Sequence, residues 1–360
     1  MKHFNVYAKF DRFAYRMDMI KRRRRANHRV MKKQREALTS QEKLMFENMW
    51  RGWRPESTEF YKAFCGRFDE KYVPNDYYDF AEHVLNLRWG AFFLQHKCCL
   101  KYIVPEENRP HTIVQKIDGH YVHEDNTEIT IEEAKELLRS RETFICKTAL
   151  GSGGGKGVQR ICLSEEKDPE GLLDAIMKPA DLIFQDVIVQ DAFMAGFNAD
   201  SVNTFRLLTL NINGYCSVLS SFIRMGSKGS FVDNLSTGGG VLVGVSNEGA
   251  INQFGIRKDY SKAYMAPSGL TFEGLSVPSW ESIKETVVGF HRRIPFANLI
   301  GWDVAMAKDG TPIVIEINLD NAEVEAHQIF NGPVFGERLN EVKTYIEDKR
   351  PLLRHAMVTY

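Results

Sequence analysis

The stretch Leu299–Asn318 (Leu-Ile-Gly-Trp-Asp-Val-Ala-Met-Ala-Lys-Asp-Gly-Thr-Pro-Ile-Val-Ile-Glu-Ile-Asn) constrains the rest of the chain most. Two apolar runs flank Asp309-Gly310. Asp-Gly is a strong signal for a two-residue type I′ turn, because both central residues of that turn need positive φ. The register that follows sets Asp303 opposite Glu316. Glu316 and Asn318 are two apart and share a face of their strand. Asp303, Glu316 and Asn318 therefore converge between apolar neighbours (Val304, Ile313, Ile315, Ile317). Acidic groups aligned across a hairpin repel one another unless positive charge lies between them. Hard oxygen ligands suit Mg²⁺ or Mn²⁺, and Mg²⁺ usually shares its shell with substrate phosphates. The alternative is a hairpin whose polar face is simply wet.

A chain of 360 residues is long enough for a large core in roughly two or three lobes. The formal net charge is zero, so the whole molecule is no polyanion trap and nucleic acid is not an expected partner. No apolar run approaches the roughly 18 residues of a membrane span, and the Met-Lys-His-Phe-Asn-Val-Tyr start has no signal-peptide core. The six cysteines include no Cys-x-x-Cys spacing, which argues for reduced thiols in a cytoplasm over disulfides or a zinc site. Residues 21–36 hold nine Lys/Arg and one Glu in a helix-favouring composition. This is either a solvated basic arm or a contact for an anionic surface, such as lipid headgroups or a partner.

From 40 to 87 the pattern is helical, with an N-cap expected at Ser40 and aromatics that read as core. From about 98 to 123 short strands are expected, with a second hairpin at Asp118-Gly119. Thr130 and Glu133 form a capping-box pattern. His111, His120 and His123 lack companions at ligand spacing and read as surface or satisfied histidines.

A strand carrying Lys147 then leads into a glycine-rich loop, Gly151-Ser-Gly-Gly-Gly-Lys-Gly, and a second strand from Val158. Backbone N–H groups of Gly153, Gly154 and Gly155 can approach phosphate oxygens, with Ser152 and Lys156 as further donors. Gly157 after Lys156 excludes a Walker A loop, and the strand–loop–strand pattern excludes a dinucleotide fingerprint. Gln185 and Asp186 interrupt an apolar strand and could hydrogen-bond an adenine or ribose, or simply end the strand. Asn203 and Arg206 stand near the start of a strand that turns at Asn213-Gly214, a third hairpin. Arg206 could pair with phosphate or carboxylate, or form a structural ion pair. Asp233 and Asn234, before Gly238–Gly240, are candidates to orient substrate or metal. Residues 279–293 form an amphipathic pattern, and helix returns from about 336.

Taken together the order of parts resembles the ATP-grasp superfamily, and most closely the sugar-transfer-associated subgroup. The matching strings are Phe-Ile-Cys-Lys147 with the glycine loop, Phe184-Gln-Asp-Val-Ile, Ser201-Val-Asn-Thr-Phe-Arg206, Val232-Asp-Asn-Leu-Ser-Thr-Gly-Gly-Gly, Gly301-Trp-Asp303 and Glu316-Ile-Asn318. They cover roughly residues 90 to 335. The resemblance implies an α+β ATP-grasp fold whose two lobes clasp ATP, after a mainly helical N-terminal region. It implies that Lys147 and the glycine loop hold the ATP phosphates and that Gln185, Asp186 and Val187 form the adenine hinge. It also implies that Asp303, Glu316 and Asn318 hold Mg²⁺, while Asn203 and Arg206 face the γ-phosphate or acceptor. Relatives place a second lysine before the central lobe, where this chain has Asn86-Leu-Arg88-Trp, so Arg88 is the candidate substitute.

The expected organisation is a basic helical region over 1–90, a small lobe over 91–190, a large lobe over 191–335 and a C-terminal helix over 336–360. The expected activity is an ATP- and Mg²⁺-dependent carboxylate ligase acting through an acylphosphate. Its expected partners are a small-molecule carboxylate and a nucleophile, such as a sugar acid and an amino acid, in cell-surface glycoconjugate modification. A small-molecule kinase and a non-catalytic nucleotide-binding scaffold for glycosyltransferases are the alternatives. The basic arm would then reach a glycosyltransferase or the membrane surface from a cytoplasmic protein.

Overall fold

The computed structural model describes residues 21, 32–86, 93–150, 157–179, 181–230, 240–320 and 323–356. Most of the basic arm, Arg88, the glycine loop (Ser152, Gly153, Gly154, Gly155, Lys156) and the Asp233–Asn234 segment lie outside the described residues.

The N-terminal part forms three helices, α1 (Ser40–Met49), α2 (Glu56–Cys65) and α3 (Asn75–Leu85). The N-cap of α1 is Thr39, one residue earlier than expected, and it forms a capping box with Glu42. Between 97 and 108 the chain makes two 3₁₀ turns where short strands are expected. Six strands follow in one antiparallel sheet: β1 (Thr112–Ile117), β2 (His120–Val122), β3 (Glu128–Ile129), β4 (Thr143–Thr148), β5 (Val158–Cys162) and β6 (Leu182–Asp186). Their order is β3-β2-β1-β6-β4-β5. Helices α4 (Ile131–Arg139) and α5 (Pro169–Ile176) bury Ala134, Leu138, Leu173 and Ile176 against Val114, Phe144 and Phe184 of this sheet.

The second sheet takes the order β11-β10-β9-β8-β7-β12-β13. Its strands are β7 (Thr204–Ile212), β8 (Tyr215–Met225), β9 (Val241–Val245), β10 (Ile251–Ile256), β11 (Lys262–Ala263), β12 (Leu299–Met306) and β13 (Pro312–Asn318), and the short helix α6 (Ala192–Ala195) precedes them. Helix α7 (Trp280–His291) covers one face with Trp280, Ile283, Val287 and Phe290, against Phe205, Leu207, Ile223 and Trp302. The opposite face, with Leu208, Leu210, Ile212 and Leu299, is covered by α3 and by the C-terminal helix α9 (Leu339–Ala356). Helices α2 and α8 (Val324–Asn331) cover its other end through Phe60, Tyr61, Ile329 and Phe330. With both faces covered, every residue of β12 is buried. Each large apolar side chain buried there contributes about 1.5–3 kcal/mol, and Asp303 is the single charge in the run.

Asp118-Gly119 and Asn213-Gly214 are two-residue turns with positive φ at both residues. Asp309-Gly310 is not. The Ala307 N–H donates to Thr311 O and only Gly310 has positive φ, so the loop holds three residues. That slips the register by one near the turn, pairing Val304 with Val314. A bulge at Ile315 restores it, and Asp303 faces Glu316 after all.

Candidate active site

Register places Arg206, Asp303 and Glu316 in a row across β7, β12 and β13. Alternation sends all of them to the face covered by α3 and α8. Arg206 grips Asp303 with its fork, Nε to Oδ1 at 2.5 Å and Nη2 to Oδ2 at 3.1 Å. Arg224 on β8 adds Nη1 to Oδ2 at 3.1 Å. Burial alone would raise the Asp303 carboxyl, but the charges of Arg206 and Arg224 outweigh it and hold the group below its ordinary value. Arg206 is thus committed to Asp303, with Glu323 Oε2 at 3.7 Å from its Nη1. This is a buried ion pair behind the carboxylate, and not the direct reach to phosphate that the resemblance implies.

Glu316 is the opposite case. Its side chain keeps 29% exposure, and its charged contact is Lys97 Nζ at 3.7 Å from Oε1, longer than a hydrogen bond. Burial raises its pKa above the ordinary carboxylate value, with Lys97 opposing and Asp303 reinforcing. Asn318 donates its amide N–H toward Asp303 Oδ2 at 3.4 Å and Gly301 O at 3.5 Å, which leaves the amide oxygen for another partner. The set offers two carboxylates and an amide oxygen. Among the described residues no group of three or more His, Cys, Asp or Glu stands ready for a metal. That donor chemistry fits Mg²⁺, which takes one or two carboxylates and completes its shell with phosphate and water.

The small sheet brings its own charge to this row. Lys147 on β4 is buried and donates to Gln185 Oε1 at 3.0 Å. Both Lys97 and Lys147 act electrostatically on Glu316. Asp186, at the end of β6, accepts from Arg141 Nε at 3.0 Å and meets His111 Nδ1 at 2.8 Å. Val187 follows outside the strand. Gln95 donates to Asp320 at 2.9 Å, a second link from the segment before the small sheet to the end of β13.

Asn203 is a correction. It precedes β7, which begins at Thr204, and its side chain is placed by its own hydrogen bonds. Its amide is fully buried and is spent within the 190–201 segment, donating to Met194 O at 2.8 Å, Asn198 O at 2.7 Å and Gln190 Oε1 at 3.1 Å. It braces that segment and does not face the row.

Lys97, Arg224 and Glu323 are in the site but were not among the residues singled out from sequence. Lys97 sits in a 3₁₀ turn with no motif around it. Arg224 reaches Asp303 because a bulge shifts β8 against β7, pairing Arg206 with Phe222. Glu323 had one signal, its place shortly after Asn318 in the string Asn321-Ala-Glu.

No curated relative matches the chain. Among solved structures it is similar to the biotin carboxylase domain of Hydrogenobacter thermophilus 2-oxoglutarate carboxylase, at 14% identity and TM-score 0.44, covering 75% of this chain and 51% of that one. It is also similar to D-alanyl-alanine synthetase A from Vibrio cholerae, at 14% identity and TM-score 0.41, covering 71% and 64%. A third is the VanG D-Ala:D-Ser ligase from Enterococcus faecalis, at 10% identity and TM-score 0.43, covering 71% and 62%. The chain thus spans about half to two thirds of the length of these structures. The model of the sugar-transfer associated ATP-grasp family matches residues 110–344, well over half of the sequence. With two antiparallel sheets meeting at an acidic row, the chain belongs to the sugar-transfer associated ATP-grasp family.

Proposed function

We propose that the protein is an ATP- and Mg²⁺-dependent carboxylate ligase. The observation behind this reading is the Arg206–Asp303–Glu316 row with Lys97 and Lys147 brought to it from the small-sheet side. Phosphoryl transfer to a carboxylate needs positioning and charge neutralisation more than covalent help. Bound Mg²⁺ would neutralise phosphate charge between Glu316, Asp303 and Asn318. Lys97 and Lys147 take the phosphate side, with the glycine loop, Ser152, Lys156 and the 185–187 hinge as the remaining nucleotide contacts. Lys97 fills the place for which Arg88 is the candidate from sequence. Arg206 and Arg224 hold Asp303 in one orientation. The thiols are not nucleophiles in this reading: all six are free, and burial pushes Cys98 and Cys146 up to about 12.

The substrates we infer are a small-molecule carboxylate and a donor-bearing nucleophile, in glycoconjugate modification as the family name suggests. Among the described residues no helix is long and apolar enough to cross a membrane. Peripheral contact through the 21–36 arm is part of the proposal, and deleting residues 1–38 should abolish binding to anionic vesicles if the arm makes it. The main test is ADP and phosphate release from Mg²⁺-ATP across a panel of sugar acids and amino acids, beside Glu316→Ala. Release that requires one carboxylate plus one nucleophile, and vanishes in the variant, supports a ligase. A stable phosphorylated product with no condensed adduct would make the protein a kinase.

A further inference from the structure

Asp303 and Glu316 face each other, but they differ in how much of each carboxylate is left for a metal. An ionised carboxylate has about four lone-pair positions on its two oxygens. Asp303 Oδ1 receives Arg206 Nε. Its Oδ2 receives Arg206 Nη2 and Arg224 Nη1, each at 3.1 Å, and Asn318 Nδ2 at 3.4 Å. Oδ2 is therefore fully used, and Oδ1 keeps a single position beside a guanidinium. With Asp303 only 7% exposed, an arriving ion would have to displace a guanidinium to reach it. Glu316 has no hydrogen-bond donor among the described residues, and Lys97 Nζ stands 3.7 Å from its Oε1. Its side chain is 29% exposed, so both lone-pair supply and access favour Glu316 as the metal carboxylate.

Charge points the same way. Two divalent ions set roughly 3.5–4 Å apart in a phosphoryl-transfer site repel strongly, and acidic ligands must offset that repulsion. Here Arg206, Arg224, Lys97 and Lys147 act on the row, against Asp303, Glu316 and Glu323. Cations thus outnumber carboxylates before any metal arrives. Arg206 pairs with Phe222, so Arg224 lies two residues along β8 on the same face. The two guanidinium groups meet on one oxygen, Asp303 Oδ2, although their like charges oppose it. Asp303 holds them together.

We propose that the site takes one divalent cation, on the Glu316 carboxylate and the Asn318 amide oxygen, and that the Arg224 guanidinium occupies the Asp303 side in place of a second. The proposal rests on the nucleotide-and-metal part of the ligase reading and fixes its metal count. Asp303 is then a positioning residue. It keeps Arg206 and Arg224 on the cleft face, and by accepting from Asn318 Nδ2 it leaves the Asn318 oxygen as the ligand atom. Glu316 and Asn318 share a face of β13, and Mg²⁺ completes such a shell with phosphate oxygens and water. A guanidinium does not lose its proton in a protein, so the charge on the Asp303 side is permanent and independent of metal concentration.

Mn²⁺ and the non-hydrolysable analogue AMP-PNP, at one equivalent per chain, test the count by electron paramagnetic resonance. Bound Mn²⁺ is read from loss of the free-ion signal, and Mn²⁺ with AMP-PNP alone is the control. Wild type should bind one Mn²⁺ per chain, with a spectrum distinct from the control and without spin coupling. Arg224→Met removes the charge, and Arg224→Gln removes it while keeping an N–H donor. Each should bind two ions, coupled as expected for a separation of about 3.5–4 Å. The second should be held at least about tenfold more tightly than by wild type, because a close positive charge is gone. Arg224→Lys keeps the charge and should stay at one ion. Two Mn²⁺ ions in wild type, or one in both neutral variants, would overturn the proposal. The wild-type count decides the metal number even if a neutral variant fails to fold. If the spectrum with wild type equals the control, no nucleotide-bound metal reaches the protein and the ligase reading itself fails, a result distinct from a count of two.

Discussion

Asp303 and Glu316 face each other, but removing their charges should have opposite effects on the fold. Asp303 is held below its ordinary value by the two arginines, so its contribution is present above the unfolded carboxyl value and is lost as pH falls through the lower folded one. Asp303→Asn leaves Arg206 and Arg224 buried without their anion and should cost about 3–5 kcal/mol. Glu316 is raised by burial, so its stabilising contribution exists below the unfolded value and disappears as pH rises through the folded one. The folded chain disfavours the charged form, so Glu316→Gln should raise the urea midpoint of the ligand-free protein at pH 7 while abolishing Mg²⁺-ATP turnover. A midpoint at or below wild type would show that the Lys97 contact outweighs desolvation. His291 gives a third titration of known sign. Burial lowers it to about 4, so the ring is neutral: Nε2–H donates to Ala297 O at 3.0 Å and Nδ1 accepts from the Thr209 hydroxyl at 2.7 Å. Stability tied to His291 is complete above the ordinary histidine range and is lost as pH falls from about 6.5 toward 4, a loss on the order of 3 kcal/mol. In His291→Gln the stability–pH curve should flatten across that window, as measured by urea midpoints at pH 4, 5, 6 and 7.

At the scale of elements, α8 must lie close on the sheet for Glu323 to reach Arg206. Gly244 on β9 permits this, because a Cβ there would stand 2.4 Å from the Phe330 Cβ of α8. Gly244→Ala should therefore lift that helix and cost about 1–3 kcal/mol. Its melting temperature should drop and its turnover should fall with it; a variant with wild-type values in both would show that the sheet yields at this point. Nothing in the sequence marked Gly244, since a close approach between a strand and a distant helix has no local pattern. The hairpins were legible because Asp-Gly and Asn-Gly act locally. At Asp309-Gly310 the turn was misread by one residue, and Asp303 still met Glu316 because the Ile315 bulge reversed the slip. The pairing of Asp303 with Glu316 was legible for that reason, and through motif strings. The place of Asn203 was not legible, because it stands just before β7 and its amide is fixed by backbone oxygens of Met194 and Asn198, a contact with no local pattern. Lys97 and Arg224 were hidden, one by an irregular turn and the other by the β8 bulge.

Across the whole molecule, the site is roofed by chain that the family match does not include. The match begins at residue 110, yet the face bearing Arg206 and Asp303 packs under α3, and Tyr61, Tyr72 and Phe60 share a core with Phe222 and Leu242 of the large sheet. Trp50, Tyr77, Tyr78 and Leu85 do the same with Leu208, Leu210 and Leu299. The small sheet differs, since its core of Val114, Leu138, Phe144, Leu173 and Phe184 is closed by its own helices. A fragment of residues 93–360 should accordingly keep a folded small sheet and lose the cooperative transition of the large one. It would expose an apolar sheet face of the kind that drives aggregation. Size-exclusion chromatography and near-UV circular dichroism of this fragment beside the full chain check the expectation. A soluble monomer with the native near-UV spectrum would mean that α8 and α9 suffice to cover the sheet. The N-terminal helices would then add little to the fold of the large sheet, and Mg²⁺-ATP turnover of the fragment beside the full chain would measure what α3 contributes to the face bearing Arg206 and Asp303.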